Sequence, residues 1–405
     1  MYFTRFISFL GLSSILFFNV NCSEEPIETD LSNINQSLDT LSLNDISGFT
    51  YQISPEIGSY QSLYVGEKNY FSFPFSLFKF SSDGWETFLD STVTIDSMFL
   101  KLYSRDSLIS DDIDLVLHFS EDSVFSESDS YMSQLKEIDR SQWTNLGTPN
   151  NKIVSDTSDT VSHFQETILS WDLLSLVDPL TDTTNLDLSR TFSISFLENT
   201  DNSFIELYSR EFSAGSVDPK IEVYYRSILS SSDSVSLIDT LTRIIYVAED
   251  LSVIDNPELN QISNNTIMIS RGRGYRSIIN IPFDSLSLPP LSVIRYAILT
   301  LYQDNDSLGS FSIRMDPLKQ AVDSLELFFE SDPYDNSGAY YSSSNTSEGK
   351  LQISLKSYFQ SLLMVDSLIN VGMKFSSSIN NSLFDSVRFD LGNEKTRVDI
   401  LYVSP

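Results

Sequence analysis

The segment Ile294-Arg295-Tyr296-Ala297-Ile298-Leu299-Thr300-Leu301-Tyr302 is a short apolar alternation, and Ile95-Asp96-Ser97-Met98-Phe99-Leu100-Lys101-Leu102-Tyr103 has the same form. Side chains two positions apart share one face of a strand, so both segments read as half-buried strands. The likeness extends to either side. Leu63-Tyr64-Val65-Gly66 and Tyr70 to Phe75 precede the earlier segment, as Ile267-Met268-Ile269-Ser270 and Ser277 to Phe283 precede the later one. Phe204 to Tyr208 and Lys220 to Tyr224 follow it, answered by Ser386 to Asp390 and Arg397 to Tyr402. With Pro74 set against Pro282, Tyr103 against Tyr302 and Tyr224 against Tyr402, the offset shrinks along the chain. Loop insertions in the first copy, at Lys79 to Asp90 and within Asp106 to Asp159, account for that drift.

The rest of the body has the same texture, with runs of Ile, Val, Tyr and Phe bounded by Ser, Asp, Asn, Gly and Pro. This predicts an all-β chain of two tandem antiparallel β-sandwiches. Only Ile168 to Val177 and Leu355 to Met364 suit short helices. The expected boundaries are a first module over 47–226, a Ser-rich linker over 227–243 and a second module over 244–405. Residues 22–46 are acidic, rich in Ser and Asn and without aromatics, and read as a flexible tether.

Residues 1–21 read as an export signal. Arg5 gives a positive start, and Phe6 to Val20 is an apolar run too short for the ~20 residues of a spanning helix. The single cysteine, Cys22, follows at once, and Ser23 to Asp30 is polar and acidic. The arrangement resembles a bacterial lipoprotein signal, although Phe18-Asn19-Val20-Asn21 departs from the usual box. The resemblance implies lipidation of Cys22 and a protein exported to the outer membrane or cell surface. The alternative is an ordinary cleavable signal with an incidental cysteine.

The tokens Leu63 to Gly66, Ala297 to Tyr302, Phe204 to Glu211 and Pro219 to Tyr225 resemble the DNRLRE-type domain of bacterial secreted and surface proteins. Two copies would cover residues 47–226 and 244–405, although the motif that names the family is absent. The resemblance implies a jelly-roll-like sandwich, an extracellular setting and a loose link to carbohydrate-binding proteins.

Charge and composition remove many functions. The 405 residues carry a formal charge of −31, which repels a phosphate backbone and excludes nucleic acid as a partner. A hydrophobic content of 41% is too rich for a disordered acidic polymer. Two histidines and one cysteine leave no ligand set for a zinc or thiolate centre and no disulfide framework. His118 sits in a strand pattern and His163 in a polar stretch, with no nucleophile elbow beside either. No catalytic residue is expected, and the chain does not read as an enzyme.

Three candidate sites remain. Trp85, in Ser82-Asp83-Gly84-Trp85-Glu86, offers a ring for stacking a glycan or a plug for the core. Asp111, Asp112, Asp114, Glu121, Asp122, Glu127 and Asp129 form the densest acidic group, which reads as a solvated loop region or as a calcium site between loops with the first five as candidate ligands. Arg271, Arg273 and Arg276, interleaved with Gly272 and Gly274, form the one basic cluster of the chain. That loop suits an acidic neighbour, a glycan or the other module, or an internal salt bridge. The leading expectation is a membrane-anchored lipoprotein with a structural, adhesion or binding role. A carbohydrate-binding lipoprotein that captures polysaccharide is second, and a hydrolase or lyase third.

Overall fold

The computed structural model describes residues 37–404 except 56, 59, 69–70, 105–113, 123–124, 128–134, 136, 156–164, 183–189, 198–202, 213–216, 233–234, 256–264, 284–287, 290, 305–309, 323–325 and 366–367. Two strands come first, β1 (Ser37–Leu43) and β2 (Ser47–Ile53). The following stretch holds β3 (Ser62–Lys68), β4 (Phe71–Phe80), β5 (Val93–Ser104), β6 (Leu115–Ser120), β7 (Thr144–Asn145), β8 (Asn150–Ser155) and β9 (Gln165–Asp172). After a short helix α1 (Val177–Thr181) come β10 (Arg190–Phe196), β11 (Phe204–Tyr208), β12 (Lys220–Ser232) and β13 (Val235–Asp255). The last stretch holds β14 (Thr266–Ser270), β15 (Tyr275–Asn280), β16 (Val293–Gln303), β17 (Ser312–Pro317), β18 (Phe328–Phe329), β19 (Ser342–Asn345) and β20 (Lys350–Ser354). It ends with helix α2 (Lys356–Met364), β21 (Met373–Ser377), β22 (Ser386–Asp390) and β23 (Arg397–Ser404).

Among the described residues these strands form two large, almost wholly antiparallel sheets, giving an all-β fold of two sandwiches. The first follows β13–β12–β5–β11–β3–β4–β10–β6–β7, with β9 on β5, and β13 returns to pair with β4. The second follows β1–β23–β16–β22–β14–β15–β21–β17–β19, with β20 on β16 and β2 on β15. The neighbour order is the same in both. Strands β3, β4, β5, β11 and β12 correspond to β14, β15, β16, β22 and β23, as the repeat predicts.

The correspondence also reassigns both ends of each module. The first half of β13 pairs with β12 and its second half with β4. In the second unit those two places are taken by β1 on β23 and β2 on β15, strands from the N-terminal end of the chain. A buried hydroxyl network shows how closely the two closures match. Ser76 Oγ donates to the Tyr64 carbonyl at 2.8 Å and lies 3.0 Å from Ser252 Oγ, which accepts from the Tyr64 N–H at 2.7 Å. In the second unit Ser277 Oγ donates to the Met268 carbonyl at 2.7 Å and lies 3.1 Å from Thr50 Oγ1, which accepts from the Met268 N–H at 2.8 Å. Thr50 on β2 therefore does the work of Ser252 on β13.

Several expectations are corrected by this arrangement. The tether does not run to residue 46, because Ser37–Leu43 is strand β1. Residues 227–243 are no linker but most of the β12–β13 hairpin. Its described side chains from Ile238 to Ile244 are exposed or half-exposed, so backbone pairing rather than burial holds this arm, and a Ser-rich composition suits it. The first unit runs contiguously from β3 to β13; the second joins β14–β23 to β1 and β2. At single residues, the network matches Ser76 to Ser277 in place of Pro74 to Pro282. The bulge after Tyr224 sets Tyr225 opposite Ile95 as Tyr402 is opposite Ile294, so Tyr225 is the counterpart of Tyr402. Of the expected helices, Lys356–Met364 is present, whereas Ile168 to Asp172 belongs to β9 and only the turns after it are helical.

Each unit has its own apolar core. The first holds Trp85, Leu100, Trp171, Phe192 and Ile221, the second Ile269, Leu299, Phe359, Phe375 and Val398. A third cluster lies on the outer face of β4 and joins the units. Tyr64, Phe71, Phe73 and Phe204 of the first surround Phe384 of the second at ring-centroid distances of 5.3 to 6.0 Å. Leu383 is buried in the same cluster.

Candidate functional site: a basic pocket beside the unit junction

The Arg/Gly run forms the tight turn between β14 and β15, closed by the Gly274 N–H donating to the Arg271 carbonyl at 3.0 Å. Gly274 has φ +66°, and a Cβ there would stand 1.9 Å from the Ile53 carbonyl oxygen. Glycine is required because the end of β2 lies against the turn. The neighbouring arginines then reach the first unit. The Arg271 guanidinium lies 3.9 Å from the Tyr60 ring centroid, and that of Arg273 lies 5.0 Å from Phe71. Arg276 points the other way and forms an ion pair with Asp332.

Two more cations come from neighbouring strands. Pairing of β17 with β21 sets Arg314 opposite Ser376 and Asp316 opposite Lys374, while Met315 and Phe375 between them face the core. The connection from β17 to β19 crosses this outer face and supplies Asp332 and Asn336. The result is a cavity of about 220 Å³ whose walls include Arg271, Arg276, Arg314, Lys374, Asp316 and Asn336. In a chain with charge −31, four cations gather here, three of them paired with the two carboxylates Asp316 and Asp332.

The internal pairing is well defined. Asp332 accepts from Lys374 Nζ at 2.6 Å, from the Tyr51 hydroxyl at 3.0 Å and from Arg276. Burial pushes the Asp332 carboxyl up, but Arg276 and Lys374 outweigh it and hold it below the ordinary carboxylate value. Burial, reinforced by Asp332, pushes the Tyr51 phenol far above its usual range, so Tyr51 stays a neutral donor. Arg314 grips Asp316 with two bonds of 2.8 Å, a fork geometry that raises its pKa. Arg271 has no carboxylate partner among the described residues and is held by the Ile379 carbonyl and the Tyr60 ring. Asn336 Oδ1 is buried without a partner among the described residues.

The other candidate residues fall elsewhere. Trp85 is fully buried in the first core and donates from Nε1 to the Ser81 carbonyl at 3.0 Å, which corrects its reading as a glycan platform. Asp114 and Glu121 are exposed and flank opposite ends of β6, roughly 20 Å apart by strand rise, so they cannot share one calcium ion; Asp122 is exposed beside Glu121. Among the described residues no group of three His, Cys, Asp or Glu is placed to hold a metal. Asp111, Asp112, His163 and Cys22 lie outside the described residues. His118 is half-buried in β6 opposite Ser193 of β10, and burial together with Arg140 lowers its pKa. Arg314, Lys374, Asp332 and Asn336 were not singled out in the sequence. Arg314 and Lys374 are gathered by strand register, and Asp332 and Asn336 by the connection that crosses above those strands, so no linear motif announces them. Comparison of the chain with family models, with curated proteins and with solved structures finds no match.

Proposed function

We propose that the chain is an exported, lipid-anchored, non-enzymatic binding protein of a bacterial envelope, acylated at Cys22, with two DNRLRE-like sandwiches as its support. The observation that carries a binding role is the basic cavity beside the junction, a concave cluster of cations on an otherwise strongly acidic protein. Cys22 and Ser37 are fifteen positions apart, so the anchor would hold β1 within about 50 Å of the bilayer. Polysaccharide capture is the reading favoured within that role, because an exposed aromatic residue, Tyr341, stands beside Arg314.

Membrane fractionation and mass spectrometry test the anchor. The wild-type protein is expected in the membrane fraction with two or three acyl chains at Cys22, and Cys22→Ala in the soluble fraction. An unmodified N-terminus overturns the anchor. A glycan array probed with the full chain in detergent tests capture, and the absence of any retained polysaccharide removes that reading.

A further inference from the structure

We infer that the basic pocket takes one anionic sugar residue of an acidic polysaccharide, an assignment that rests on the binding role proposed above. Three features of the site define the ligand class. The cations call for a carboxylate or sulfate. Among the described residues Arg271 has no carboxylate partner, and Arg314 is 49% exposed on its side chain, so both can turn toward an incoming anion. The buried, unpartnered Asn336 Oδ1 calls for a donor beside that anion, which a sugar hydroxyl supplies and a bare inorganic anion does not.

The third feature is Tyr341, 61% exposed, with the Arg314 guanidinium 4.8 Å from its ring centroid. An exposed ring next to a cation suits the apolar face of the next sugar in the chain. The cavity, about 220 Å³, is smaller than the ~300 Å³ at which drug-sized sites begin, which limits it to one residue. The corresponding face of the first unit is closed. There Arg140 donates to Ser193 at 3.2 Å and stacks over Phe75, while Phe125, Leu135 and Trp143 pack over β4. Among the described residues the first unit therefore has no counterpart of this pocket.

Asp316 acts as the resident anion, occupying the Arg314 fork until a ligand displaces it. Its removal therefore has an effect opposite to that of a lost contact. Calorimetry with the full chain in detergent tests the assignment, using an oligogalacturonate, its neutral methyl ester and a sulfated galactan oligosaccharide. At least one acidic oligosaccharide is expected to bind, with the methyl ester at least tenfold weaker than the free acid if the carboxylate is the preferred anion. Preference for the sulfated probe assigns the anion as sulfate. Arg314→Gln and Tyr341→Ala are expected to weaken binding at least tenfold, Tyr341→Ala with an unchanged melting temperature and Arg314→Gln with a lowered one because Asp316 loses its fork, and Asp316→Asn to tighten binding severalfold. Equal binding of a neutral and an acidic probe, indifference to both Arg314→Gln and Asp316→Asn, or no binding of either acidic probe overturns the assignment. Inorganic sulfate bound as tightly as the oligosaccharides overturns the sugar part. Acylation of Cys22 is read separately, so these outcomes leave the anchor untouched.

Discussion

At single residues the two units can be compared atom for atom. Ser76 and Ser277 each donate to a backbone carbonyl and meet a second hydroxyl, so removing either strands buried polar groups in the same way. Ser76→Ala and Ser277→Ala are each expected to cost ~1–3 kcal/mol, seen as similar losses in denaturant midpoint. Trp85→Ala is expected to cost ~3–5 kcal/mol, because a fully buried indole leaves a cavity, and to leave saccharide binding unchanged. Asp250, fully buried on β13, accepts from the Arg210 N–H at 2.8 Å, but its Oδ1 has no partner. Burial holds its carboxyl well above the ordinary value, with Glu211 and Glu127 adding to the shift. A carboxyl raised in the folded state favours folding at acidic pH, and that contribution is lost as pH rises through the folded value. Asp250→Asn is therefore expected to raise the melting temperature at pH 7 and to reduce the gain on acidification toward pH 5. Asp332, held low, works in the opposite sense below about pH 4, which confines the Asp250 comparison to the range above it.

At the level of strands, the alternation in Ile95 to Tyr103 and Ile294 to Tyr302 was legible because one face is buried and the other is not. Burial along β16 confirms it at Ala297, Leu299 and Leu301. The ends of the modules were not legible. A Ser-rich hairpin arm has the composition of a linker, and β1, which holds Leu38 at 66% exposure on the rim of its sheet, has the composition of a tether. Nothing in β1 says which unit it will join, because its partner is the free edge left by a strand hundreds of residues away. The experiment this suggests is a rearranged chain. A fragment over 266–404 alone is expected to lack cooperative unfolding, since it leaves β15 without β2 and β23 without β1. The same fragment continued through a short turn into 37–53 is expected to unfold cooperatively, because Ser404 and Ser37 are paired residues and a tight turn spans them. Cooperative unfolding of 266–404 alone would show that β1 and β2 are ornament.

For the whole molecule, the repeat and the two-sandwich fold were readable from one chain, whereas the pocket was only a third visible. The Arg271 to Arg276 run stood out against the acidic background, but Lys374 and Arg314 entered through the β15–β21–β17 register and Asp332 through a loop crossing above it. Cations scattered one to a strand leave no linear motif. The same reasoning disfavours a cut between the units at 227–243, where two paired strands would be severed. A fragment over 54–255, which keeps β3 to β13 together, is expected to give a folded all-β spectrum, and one over 47–228 is not.

The pairing of β1 with β23 has a consequence for biogenesis. Ser37 and Ser404 touch at 2.7 Å across 367 positions of sequence, so the first of the described strands to be made is among the last to find its neighbour. Contacts of such high order close slowly, and until they do β1 and β2 offer unpaired backbone edges to any passing chain. A polypeptide crossing a membrane N-terminus first would carry those edges on the far side for the whole of its transit. Its survival there would depend on a holding chaperone or on rapid release; if the chain is exported as proposed, export yield rather than final stability is expected to fall first when β23 is weakened.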